Sequence, residues 1–355
     1  MVVQKKQFSL FLAAGLAAGA VHAQSSATMY GVIDTGIAFG NHTTGNTSAW
    51  KLNNGNRAAT RWGLKGREDL GGGLATIFQL ETGFDVNTGA IVAPQAGRIF
   101  GRHAYVGLDS KDYGQLLLGR TWTIPFRYGI PLDPLNYSLY GLVAQDSEFA
   151  GHADNMLAYN LKKGPFEFNS LYSFGYEAVT AAAIPGNYRV DKEVDVGARY
   201  VDGLINVSAF YTQRQGTTAA TGNQDERRFL IGGTYAPTSK TTLYAGYELL
   251  LNDVATTVAS QPSRSMFYAG ARYYITPFID VAAASYYTSY RAFSGHALSS
   301  GLQADYLLSK RTSLYVNGTY VVNSSKSKLS ALGAAIPAVA GANQLGLSVG
   351  VLHNF

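Results

Sequence analysis

The feature that most constrains this chain is an odd-even alternation of apolar and polar side chains, returning from residue 27 to the last residue. Successive side chains of a strand point to opposite faces, so period two marks a strand with one greasy side. In 166–176 the even positions are Phe166, Phe168, Ser170, Tyr172, Phe174 and Tyr176, against Glu167, Asn169, Leu171, Ser173 and Gly175. Val194, Val196, Ala198 and Tyr200 likewise oppose Glu193, Asp195, Gly197 and Arg199. Segments of this kind fall at 27–40, 57–68, 73–86, 99–110, 113–121, 153–162, 165–176, 190–201, 204–215, 226–236, 240–250, 264–275, 278–290, 296–308, 312–323 and 343–355. They number about 16, each near the ~9–11 residues that cross a bilayer at a tilt.

Helical spans are excluded. Past the first residues the longest apolar run is 331–342, broken by Pro337, short of the ~18 residues a spanning helix requires. Charged residues make up only 14% of the chain, yet the mean hydropathy is −0.02. A chain neither charged nor continuously apolar suits a sheet that shows one face to lipid and the other to water. Hydrocarbon offers no partner to the free N–H and C=O groups of a sheet edge, so such a sheet must close on itself. The expected fold is all-β, a transmembrane antiparallel barrel of about 16 strands. A soluble β-sandwich is the alternative, but it rarely strings so many similar amphipathic strands through one domain.

Residues 1–23 read as a secretory signal: Lys5 and Lys6, the apolar stretch 8–21, then Val21-His22-Ala23 at a cleavage site. The mature domain is then 24–355, read as one unit without linker or low-complexity tract. Losing the two lysines takes the formal charge from +5 to +3. Basic residues are scattered singly among acids, which argues against a nucleic-acid partner. Cysteine is absent, so disulfides and thiolate metal sites are excluded.

Bond chemistry finds no support. Outside the leader the histidines are His42, His103, His152, His296 and His353, none in a Gly-x-Ser-x-Gly or His-Glu-x-x-His context and no pair at metal-ligand spacing. Gly71-Gly72-Gly73 lacks the Lys-Ser/Thr of a phosphate loop. No enzyme activity, metal or cofactor is therefore expected. A barrel phospholipase or protease, or a non-conducting adhesive barrel, would need a nucleophile with its base or a plug domain.

Several stretches carry a resemblance. They are Met29-Tyr30-Gly31-Val32-Ile33-Asp34, the run from Arg61-Trp62-Gly63-Leu64-Lys65-Gly66 to Gly71, Phe78-Gln79-Leu80-Glu81, Gly101-Arg102-His103-Ala104-Tyr105-Val106-Gly107-Leu108, Leu118-Gly119-Arg120 and a terminal Phe355. Together they resemble the trimeric general porins of Gram-negative outer membranes, of the betaproteobacterial and neisserial type. That resemblance implies an outer-membrane homotrimer in contact with lipid and lipopolysaccharide, passing small ions and solutes. It also implies a third external loop folded into the bore, and residues 121–151, with Pro125, Gly129, Pro131 and Pro134, suit that role. A second loop, 86–98, would reach the neighbouring subunit, and Phe355 would be the signal read by the barrel-assembly machinery.

In this family wall arginines face acids on the inward loop. Parity places Arg61 and Lys65 in the bore, with Gln79 and Glu81 inward and Phe78, Leu80 and Phe84 outward. It also places Arg102 in the bore with Tyr105 on the opposite face. Arg120 closes the strand that leads into the loop, and Asp133, Asp146 and Glu148 are the loop acids. The resemblance puts a third wall arginine where this chain has His152. These residues form the expected constriction, with a weak preference for anions.

Overall fold

The computed structural model describes residues 26–92, 98–177, 185–254 and 261–355; the leader at 1–23 and positions 93–97 of the second loop lie outside the described residues. The strands are β1 (Ser26–Thr43), β2 (Thr47–Asn54), β3 (Arg61–Gly71), β4 (Leu74–Gly83), β5 (His103–Ser110), β6 (Gly114–Trp122), β7 (His152–Lys163), β8 (Phe166–Ser173) and β9 (Glu193–Val201). They continue with β10 (Ile205–Gln215), β11 (Asp225–Thr238), β12 (Thr241–Asn252), β13 (Arg264–Thr276), β14 (Ile279–Tyr290), β15 (Gly295–Leu307), β16 (Thr312–Asn323) and β17 (Gln344–Asn354). Two short helices, α1 (Ile124–Leu132) and α2 (Leu142–Gln145), lie between β6 and β7.

Among the described residues seventeen strands make sixteen staves. The first part of β1 pairs with β3, from Ser26↔Arg67 to Val32↔Arg61, and its second part with β2, from Thr35↔Asn54 to Thr43↔Thr47. Strands β2 and β3 are thus one stave interrupted at 55–60. The other edge of β1 pairs with β17, Val32↔Asn354 to Gly40↔Gly346, and the ring closes with antiparallel neighbours throughout. The closing contact ends on Phe355, whose N–H donates to Gly31 O (3.0 Å) while Gly31 N–H donates to its carbonyl (3.1 Å). Tight turns between β3/β4, β5/β6, β7/β8, β9/β10, β11/β12, β13/β14 and β15/β16 gather at the end that carries both termini. Short turns mark the periplasmic rim.

The alternation holds in three dimensions. Phe166 is 63% exposed and Phe168 44% on the outer skin, while Asn169 and Ser173 of the same strand are buried inside. Val194 and Val196 face out over a buried Glu193 and Asp195, and Leu347, Val349 and Val351 do the same on β17. Strand β2 was not expected from sequence: Trp50 and Leu52 are its only outward apolar pair, in a polar stretch.

The bore is not uniformly wet. Phe210, Leu230, Met266, Tyr268 and Tyr286 point inward and form an apolar cluster with Ile124, Tyr128, Leu132, Leu135, Leu142 and Phe149 of the inward loop, joined by Ala331, Leu332 and Ile336. Helix α1 tolerates its prolines because Pro125 stands in the first turn, where a backbone N–H has no partner to lose. Burying five loop side chains, Tyr128, Leu132, Leu135, Leu142 and Phe149, at ~1.5–3 kcal/mol each, gives this docking the larger share of its free energy.

Candidate functional site: the constriction

The inward loop divides the bore. Its acids fasten it to the β10–β14 side, while its other flank borders a cavity beside Arg57, Arg61 and Arg102 and is tied to the wall where Leu139 N–H donates to Asn56 O (3.0 Å). The fastening uses all three loop acids. Asp146 takes a two-pronged contact from Arg228 (Nε–Oδ2 2.8 Å, Nη2–Oδ1 3.3 Å) and a third from Arg264 (Nη2–Oδ2 2.6 Å). Glu148 pairs with Arg214, and Asp133 accepts from Tyr286 Oη (2.7 Å), Leu135 N (3.1 Å) and Leu142 N (3.0 Å).

These acids are buried and answered where they stand. Burial alone would raise the Asp146 carboxyl, but Arg228 and Arg264 outweigh it and hold the group well below the usual carboxylate range. Burial dominates at Glu148 and pushes it up to about 7 against Arg214 and Arg228. The expectation of acids facing the wall arginines across the passage is therefore corrected. Asp133, Asp146 and Glu148 turn to the far wall, because buried carboxylates require cations and donors in direct contact.

Opposite the loop, Arg61, Arg102 and Arg57 line a cavity of about 240 Å³ whose other side is Phe126, Ile130 and Val143. Arg102 Nε donates to Glu81 Oε1 (2.7 Å) and Arg61 Nε stands 3.5 Å from Glu81 Oε2, which also accepts from Tyr30 Oη (2.8 Å). Arg57 pairs with Asp305 (3.2 Å) and donates from Nη1 to Asn136 O (2.6 Å), bridging wall and loop. The Arg102 guanidinium lies 5.9 Å from the Phe126 ring centre. Arg61 and Arg102 thus share the one carboxylate of Glu81, one cation in excess, while Arg57 lies beside Asp305 and Asp34.

Sequence reasoning placed Arg61, Arg102 and Glu81 here and missed Arg57. Lys65 is in the bore, with Nζ 5.2 Å from the Tyr30 ring centre, but does not line the narrow cavity. The expected opposition of Arg102 and Tyr105 is corrected: Tyr105 also points inward, its hydroxyl donating to Gln79 Oε1 (2.8 Å). Strand β5 begins only at His103, so Arg102 reaches the bore from irregular backbone and parity does not carry across. His103 faces inward as well, bonded to Thr121 (2.9 Å).

Arg120 leaves the passage altogether. A bulge in β7 sets Asp154 and Asn155 against the single residue Arg120 of β6, and Arg120 bonds Gly101 O (2.8 Å) and Asp154 Oδ1 (2.7 Å), anchoring the end of the second loop. His152 sits among rings, 5.2 Å from Phe126 and 6.0 Å from His103, with Nδ1 3.0 Å from Ala150 O. It packs the loop's root and does not face the passage as an arginine would. Arg214, Arg228 and Arg264 were missed, although parity on β10, β11 and β13 would have put them in the bore.

A closed barrel of sixteen staves, with an apolar skin and a charged bore narrowed by its own loop, is a membrane channel. The chain belongs to the Gram-negative porin family, whose sequence profile matches residues 9–326, and so is a pore of the outer membrane. It is 35% identical over 260 residues, 66% of either chain, to an outer membrane porin protein of Bordetella pertussis. Its fold is similar to the anion-selective porin from Comamonas acidovorans, with a TM-score of 0.78 and 24% identity over 94% of this chain and 100% of that one. It is also similar to OmpT of Vibrio cholerae in its trimer form, with a TM-score of 0.67 and 14% identity over 93% and 99% of the two chains.

Proposed function

We propose that the chain, shorn of residues 1–23, works as a homotrimeric diffusion channel without catalytic activity that passes small anions in preference to cations. One observation carries the anion preference: Arg61 and Arg102 face an apolar loop flank and share the single carboxylate of Glu81. One net charge ~7 Å from a passing ion, in water-like dielectric, shifts a monovalent ion by ~0.6 kcal/mol. Opposite ions then differ by ~1.2 kcal/mol, about sevenfold before salt screening. The trimer form of the OmpT relative supports the assembly, and a terminal Phe355 hydrogen-bonded into the closing strand suits an assembly signal in contact with the insertion machinery. Lipopolysaccharide is the natural neighbour of the outward aromatic and aliphatic skin.

Zero-current potentials across a KCl gradient in a planar bilayer test the preference. An anion-directed potential that shrinks in Arg61→Gln and Arg102→Gln is expected, and cation preference in the unmodified channel defeats the reading. Current steps in threes, and a cross-linked species of three subunits, check the assembly.

A further inference from the structure

The constriction leaves one loop cation without a task. Arg127 of α1 makes no side-chain hydrogen bond or ion pair among the described residues, and it lines a second cavity of about 340 Å³ on the periplasmic side of the loop, bounded by the β5/β6 turn. Asn160, from β7, lines the same cavity and is 9% exposed. Its Oδ1 accepts from Asn169 Nδ2 (2.7 Å), and its Nδ2 is a buried donor without a protein partner. Of the acids in this lining, Glu167 pairs with Arg199 while also attracting Arg127, and Asp109 pairs with Arg67. Lys111 and Lys162 of the lining form no ion pair among the described residues. The cavity therefore offers the positive charge of Arg127, Lys111 and Lys162 and an unanswered N–H donor on Asn160, beside an unanswered acceptor at Asn169 Oδ1 and two carboxylates held in ion pairs.

From this we infer a second anion station below the constriction, in which Arg127 and Asn160 Nδ2 hold a small oxyanion such as phosphate. A guanidinium presents two parallel N–H groups that match a pair of oxygens, and the amide adds a third donor; a halide uses only one direction. An anion that passes Arg61 and Arg102 next meets Arg127. Two weak stations in series ease passage where a single strong one would trap the solute.

The test is block of chloride current by inorganic phosphate in single channels of the full-length mature barrel. Phosphate added on the periplasmic side should reduce the current at lower concentration than phosphate added outside, because that side reaches the cavity without crossing the constriction. Arg127→Gln should raise the half-blocking concentration about tenfold, and Arg127→Lys by less, while both keep the anion-directed zero-current potential set by Arg61 and Arg102. Wild-type channels indifferent to phosphate, or blocked equally from both sides, overturn the proposal. So does Arg127→Gln blocking like wild type, and block lost in Arg61→Gln but kept in Arg127→Gln would place the station at the constriction instead. Wild-type sidedness alone decides the matter if neither variant inserts.

Discussion

Replacing Asp146 by Asn should loosen the inward loop without changing what the channel selects. Asp146 is fully buried and answers Arg228, 2% exposed, and Arg264, 3% exposed. Removing one partner from a buried ion cluster costs ~3–5 kcal/mol, because the remaining charges keep their desolvation. Here the lower end applies, since Arg228 retains Glu226 and Arg264 keeps Glu248 at 3.7 Å. The five buried apolar side chains of the loop contribute roughly 7–15 kcal/mol in gross burial, so the loop stays docked. Guanidinium unfolding of the refolded barrel should show a lower midpoint, and the open channel should carry more current noise. The zero-current potential should barely move, as Asp146 does not face the passage. An unchanged midpoint together with a large rise in anion preference would refute this reasoning and return Asp146 to the pore wall.

Other expectations follow from the same contacts. At Gly31 an added Cβ would fall 2.2 Å from Phe355 Cζ and 2.8 Å from Arg61 O; Gly31→Val should weaken the β1–β17 closure by ~1–3 kcal/mol, seen as a barrel that unfolds at lower temperature in detergent, and a wild-type transition would contradict the crowding. Phe355→Ala leaves the backbone pair with Gly31 in place, so it should lower yield in the outer membrane more than the stability of protein folded in vitro; equal losses in both assays count against an assembly role. Glu148 has its folded value pushed by burial from 4.5 to about 7, so ionising it opposes folding, and stability falls as pH rises between those values. Glu148→Gln should flatten that decline between pH 5 and 8 in denaturation midpoints, and a slope equal to wild type would show that another group titrates.

The barrel was legible because one physical rule acts on every stave. Lipid tolerates Phe166, Phe168, Val194 and Val349 and rejects Asn169, Asp195 and Ser348, and the side-chain period of a strand converts that preference into a sequence rhythm. The rule lapsed wherever backbone left the ladder. Arg102 and Tyr105 share the bore because the strand starts between them, and Arg120, paired with Ala104 on the outward parity of β6, turns to Asp154 at the bulge in β7. Arg57 lies in the expected strand 57–68 on the parity of Arg61, but it stands on the irregular stretch 55–60 that interrupts the second stave, and sequence reasoning did not extend the alternation to it. The loop acids were misplaced for a different reason: Asp146 is 82 residues from Arg228, and nothing local states which wall a loop will choose.

That choice nevertheless leaves a trace in the strands. A bore meant only for water has no use for large apolar residues on its inner parity, yet Phe210, Leu230, Met266 and Tyr268 occupy that parity on consecutive parts of β10, β11 and β13. The same strands bring Arg214, Arg228 and Arg264 inward. A patch that is both greasy and basic on the wet side of a barrel is unsatisfied unless something apolar and acidic covers it, and residues 121–151 supply Leu132, Leu142 and Phe149 beside Asp146 and Glu148. Reading departures from the rhythm as docking sites would have fastened the loop to β10–β13. By subtraction it would also have left the passage, and its selectivity, to the arginines of the opposite wall.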